Sequence, residues 1–106
     1  MSVSRKVVID VDSFFWSPGR QRRIESASEW EQALARELQH LVYDEYGKRP
    51  SFTRCLDIVM RQAAQIRRVG DTKEVLAARL WESERILLID SANAMNRQKE
   101  DWTVRR

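Results

Sequence analysis

After Gly70 the chain contains neither glycine nor proline, so nothing in its backbone chemistry stops a helix in the last third once one has begun. That same stretch holds the most apolar run of the protein, Ile86-Leu87-Leu88-Ile89, which stops at Asp90. How this run folds decides the fold class. Ahead of it, Asp71 followed three residues later by Glu74 reads as a helix start, and Leu76, Ala77, Leu80 and Trp81 recur at helical spacing. Glu82-Ser83-Glu84-Arg85 then offers no apolar residue to continue that stripe. Four consecutive apolar residues on a helix would point in every direction, so Ile86–Ile89 fits a buried strand better. The alternative is a single helix over 72–98. Ala92 to Glu100 has helical character on either reading.

Upstream, Arg5 to Asp12 reads R-K-V-V-I-D-V-D, with Val7, Ile9 and Val11 alternating with Val8, Asp10 and Asp12. This period of two predicts a half-buried strand. Phe14-Phe15-Trp16 leads into Ser17-Pro18-Gly19, a turn, and then into Arg20-Gln21-Arg22-Arg23, the densest basic cluster of the chain. Ser28 with Glu31 forms a capping box, with Ser26 and Glu29 as a competing start. Trp30, Leu34, Leu38, Leu41 and Val42 follow at helical spacing until Gly47, and Pro50 blocks continuation. Ser51 caps a second helix reaching about Arg68, with Phe52, Cys55, Leu56, Val59, Ala63 and Ile66 on one face. The resulting order is β-α-α-α-β-α, a helix-dominated α/β fold with a small two-stranded sheet. The nearly all-α alternative carries the long C-terminal helix 72–98. Two strands make a marginal sheet, so its edge is expected to pair with a second copy in a homodimer.

Residues 1–106 are expected to form one domain around one core, since a chain of this length buries about two thirds of its unfolded surface. Hydrophobic residues at 42% and charged residues at 33% place it among globular rather than disordered chains. The longest uncharged apolar run is four residues. A membrane span requires roughly 20 and a signal peptide an apolar core of its own, so a cytoplasmic protein is expected. Cys55 is the single cysteine, on an apolar stripe, and reads as a small hydrophobe. With it and the single histidine His40, a zinc site of the usual ligands cannot be assembled within one chain. No cofactor and no metal is called for.

The formal charge of +3 is mild for a nucleic-acid binder, but 15 of the 19 cations are arginine, the residue suited to forked contacts with phosphate or carboxylate. Any nucleic-acid contact is placed first at Arg20, Arg22 and Arg23, and second at Arg67 and Arg68. Arg67 and Arg68 also complement the end of the second helix. Phe15, Trp16 and Trp102 are candidates for contact with a partner.

Two stretches echo catalytic folds. Val8-Ile9-Asp10-Val11-Asp12 with Ser13-Phe14-Phe15 resembles the first acidic strand of haloacid-dehalogenase-like hydrolases and lesion-bypass polymerases, where strand-end carboxylates hold a metal beside phosphate. Ile86-Leu87-Leu88-Ile89-Asp90 resembles the start of PIN-type nucleases and, with Gly70 to Arg85, the helix and Walker-B strand of AAA+ transposition-helper ATPases. These resemblances imply a metal-dependent phosphotransfer or nuclease-like enzyme, or the remnant of such an ATPase, using Asp10, Asp12 and Asp90. The chain departs from them in having no G-x-x-x-x-G-K-[ST] and in continuing Asp90 with Ser91 where a glutamate is usual. No family is assigned on these grounds. The leading expectation is a non-enzymatic accessory or regulatory protein, of the small kind found on phages and mobile elements, that docks on a protein partner or on DNA.

Overall fold

A computed structural model describes the backbone of residues 24–104 and the side chains of residues 24–96. The first described residues, Ile24 and Ala27, are fully buried, and Ala27 donates its amide to the Ile24 carbonyl at 3.1 Å. Four helices follow: α1 (Glu29–Tyr46), α2 (Phe52–Ile66), α3 (Lys73–Ser83) and α4 (Arg85–Val104).

Local chemistry sets most of the helix ends. Ser28 caps α1 with both halves of the box in place: the Glu31 amide donates to Ser28 Oγ at 3.1 Å, and the Ser28 amide donates to Glu31 Oε1 at 2.8 Å. Gly47 ends α1 at φ 84°, a left-handed conformation that costs glycine little. Ser51 caps α2, accepting the Arg54 amide at 3.0 Å. The cap of α3 is Thr72 rather than Asp71. Asp71 instead closes the preceding turn, where its Oδ2 accepts the Arg68 amide at 2.8 Å and the Arg79 guanidinium at 2.7 Å.

The α/β expectation with its two-stranded sheet is overturned. Residues 85–90 are the first turns of α4, and there is no strand among the described residues. The other expected strand, Arg5 to Asp12, lies outside the described residues. The all-α alternative is nearer, but the single helix over 72–98 is broken at Glu84, whose backbone (φ −118°, ψ 32°) leaves the helical region. Glu84 donates its amide to the Leu80 carbonyl at 2.9 Å, and its own carbonyl accepts the Leu88 amide at 3.1 Å, so one residue closes α3 and opens α4. Its carboxylate accepts Gln62 Nε2 at 2.9 Å and ties the bend to α2. The apolar run does point in several directions: Leu88 is fully buried, Leu87 and Ile89 are half-buried, and Ile86 is 77% exposed. A helix tolerates one solvent-facing isoleucine, and leucine is a good helix former. With no strand at 86–89, the sheet edge that argued for pairing two copies is not there.

Helix α1 sits at the centre, packed along its length against α2 and α3, while α4 rests more lightly on α2 and α3. Leu34, Ala35, Leu38 and Val42 of α1 meet Cys55, Leu56, Ile58, Val59 and Ala63 of α2 and Leu76, Ala77, Leu80 and Trp81 of α3 in one core, joined by Leu88 of α4. Helix α2 is covered on more than one side, since Thr53 and every residue from Cys55 to Val59 are buried. That run includes Asp57, which is fully buried between Arg54, 3.9 Å away, and Arg61, 3.1 Å away, each within one helical turn.

Candidate docking surface

Five cations among the described residues lie over aromatic rings. Arg36 stands 5.2 Å from the centre of the Phe52 ring, Lys48 5.9 Å from Tyr46, and Arg49 5.2 Å from Tyr43. Arg67 stands 4.8 Å from Trp30, and Arg85 4.7 Å from Trp81. A stacked guanidinium contacts the ring with its flat face and keeps its in-plane N–H fork available for carboxylate or phosphate. An ion-paired guanidinium such as that of Arg79, held by Asp71, has already spent part of that fork.

Three of these pairs gather where α1 gives way to α2. Arg36 and Tyr43 are seven residues apart on α1, two turns along the same face, and both are exposed. Lys48 and Arg49 follow the Gly47 cap and immediately precede Pro50 and the Ser51 cap of α2. The first turn of α2 holds no acidic residue, although a helix N-terminus, with its partial positive charge, ordinarily favours one. Between the end of α1, this turn and α4 lies a cleft of about 340 Å³ lined by Gln39, Tyr43, Lys48, Arg49, Met95 and Asn96, among others.

The turn is fixed from three directions. Gln39 Nε2 of α1 donates to the Pro50 carbonyl at 2.9 Å, and the Ser51 amide donates to Ser91 Oγ of α4 at 3.0 Å. Asn93 Oδ1, also on α4, accepts both the Tyr46 hydroxyl at 3.1 Å and the Lys48 ammonium at 3.2 Å. These polar contacts tie α4 to the turn beside the fully buried Ala92.

A second groove runs along the end of α2 and the outer face of α3, with Arg67, Arg68, Arg79 and Glu82 on its walls. Of the residues expected to meet nucleic acid, this is where Arg67 and Arg68 lie, both exposed. Glu82 is the one carboxylate in this lining, and the nearby Asp71 is paired with Arg79. Arg20, Arg22, Arg23, Phe15, Trp16, Asp10 and Asp12 lie outside the described residues, and Trp102 lies in the final turns of α4, beyond the described side chains. Asp90 is an exposed residue of a helix, not the terminus of a strand, so the arrangement implied by the Walker-B and PIN-type resemblances does not occur there. Among the described residues, no three His, Cys, Asp or Glu side chains stand close enough to hold a metal ion. Nor is any helix of the described residues long and apolar enough to cross a membrane. Cys55 is buried, as its place on an apolar stripe led one to expect, and His40 is exposed.

Sequence reasoning passed over Arg36, Lys48, Arg49, Tyr43 and Phe52. The available signal was the pair Lys48-Arg49 set between the Gly47 stop of one helix and the Ser51 cap of the next. No family model matches the chain, and neither a curated protein nor a solved structure matches it.

Proposed function

We propose that the protein is a non-enzymatic, cytoplasmic docking protein of the accessory or regulatory kind, which recognises a protein partner through arginines held on aromatic rings. The observation that carries this reading is the number of stacked cations. The helical body of residues 24–96 presents the five described above, with cation-to-ring-centre distances from 4.7 to 5.9 Å. Arginine and aromatic residues are the types that dominate binding energy at protein interfaces. Within residues 24–96 the balance of charge favours protein over DNA as the partner. Residues 24–96 hold ten Lys and Arg against twelve Asp and Glu, so the surplus of positive charge lies entirely outside them. A helical body of that balance does not attract a polyanion at long range. A second copy of this chain is one protein that meets the description, and a mass of two chains by light scattering at micromolar concentration would identify it.

The reading is tested on both its halves. Incubated with ATP, a generic phosphatase substrate and single-stranded DNA in Mg²⁺ or Mn²⁺, the purified protein is expected to turn over none of them. Turnover that disappears in Asp10→Asn would overturn the non-enzymatic half. A photo-crosslinking residue in place of the exposed His40, on the same face of α1 as Arg36 and Tyr43, is expected to give a discrete protein adduct in cells that is lost when Arg36 and Arg49 are both changed to Ala. A nucleic-acid adduct instead, or a salt-sensitive gel shift of duplex DNA by the purified chain at physiological ionic strength, would overturn the protein half.

A further inference from the structure

We propose that the cleft at the turn between α1 and α2 receives an acidic peptide segment of the partner, with its carboxylates on the Lys48 ammonium and the Arg49 guanidinium. The inference rests on the docking reading and names the chemistry of the ligand. Its basis is a local reversal of charge: in a body where carboxylates outnumber cations, the residues lining this cleft include Lys48 and Arg49 and no carboxylate at all. The first turn of the adjoining α2 holds no acid, and its partial positive end stands opposite the partial negative end of α1, so the positive charge of the cleft is that of the two side chains.

Both cations are held in place before any ligand arrives. Lys48 gives one of its three N–H groups to Asn93 and retains two. The Arg49 guanidinium carbon lies 5.2 Å from the centre of the Tyr43 ring, a contact that does not consume its N–H groups. The turn that carries them is anchored by Gln39, Ser91 and Asn93, so little side-chain and loop ordering remains to be done on binding. Tyr43, Met95, Pro50 and Ala92 with the side-chain amides of Gln39 and Asn96 add apolar and polar lining, a mixture suited to a peptide side chain and its backbone. A peptide delivers one or two carboxylates locally. A nucleic-acid strand would bring continuous negative charge across a surface with many carboxylates of its own.

The full chain is titrated into a fluorescein-labelled peptide of Glu, Leu and Gly, and into the same peptide with Gln for each Glu, with anisotropy as the readout. The Glu peptide is expected to bind at least about tenfold more tightly, and Lys48→Gln and Arg49→Gln are each expected to weaken it about tenfold, the value of one charge-assisted hydrogen bond. Arg49→Lys, which keeps the charge but not the fork, is expected to recover part of the loss, while Arg85→Gln leaves binding unchanged. Circular dichroism melts confirm that each variant is folded. Equal affinity for the two peptides, or no binding of either, overturns the acidic ligand and leaves the docking reading to its crosslinking test. Binding that survives both cleft variants but is lost in Arg85→Gln also overturns the inference, moving the site to the bend between α3 and α4. A single-stranded oligonucleotide that binds more tightly than the Glu peptide and depends on Arg49 overturns the inference and the protein reading together.

Discussion

Replacing Leu38 with alanine is expected to lower the free energy of unfolding by about 3–4 kcal/mol, within the range measured for leucine truncations in well-packed cores. Leu38 is fully buried near the middle of α1, the helix against which both α2 and α3 pack. Its removal takes away the transfer energy of the lost carbons and leaves a cavity that three helices would have to shift together to close. Urea denaturation followed by circular dichroism measures the effect, which should appear as a lower midpoint at unchanged slope. The control is Ile86→Ala, where the side chain is 77% exposed and the expected change is within about 0.5 kcal/mol. A loss under about 1 kcal/mol for Leu38→Ala would mean that α1 is not the centre of the packing.

Asp57→Ala is expected to cost about 3 kcal/mol, for a different reason. The Asp57 carboxylate is wholly buried, and the Arg54 side chain beside it is 12% exposed, so removing the acid strands a nearly buried guanidinium without its counter-charge. Arg61, 32% exposed in its side chain, can turn to water when the carboxylate is lost. Accordingly, Arg61→Ala should cost no more than about 1 kcal/mol, because the remaining Asp57–Arg54 pair keeps the buried charges balanced. The same denaturation series measures both variants. Equal losses for the two would show that the carboxylate is held by Arg61 and that Arg54 contributes little.

How much of this was legible follows from how local each cause is. The Ser28 and Glu31 box, the Gly47 stop, the Ser51 cap and the stripe from Leu34 to Val42 are decided by neighbours within a few residues, and the structure places them as the spacing indicates. The run Ile86–Ile89 failed because its period alone does not separate a buried strand from a helix. What decided it was the absence of any breaker after Gly70 and a bend at Glu84 that relies on Gln62 of another helix. Asp57 was not read as buried, although Arg54 and Arg61 stand three residues before it and four after it, the spacing that brings them together on one helix. The proposed docking surface was not singled out because attention to charge density favours the cluster Arg20, Arg22 and Arg23, which lies outside the described residues. The arrangement at Lys48 and Arg49 depends on Tyr43 across a turn and on Asn93 from a helix more than forty residues on.

The central claim, that the turn between α1 and α2 is the docking surface and takes an acidic ligand, is tested most directly by amide chemical-shift mapping of the ¹⁵N-labelled chain titrated with the Glu peptide. Saturable shifts are expected at Gly47, Lys48 and Arg49 and, across the cleft, at Met95 and Asn96, with Arg67 to Thr72 unmoved. Shifts concentrated at Arg67 to Thr72 and Arg79 to Ser83, with Gly47 to Arg49 unchanged, would contradict it.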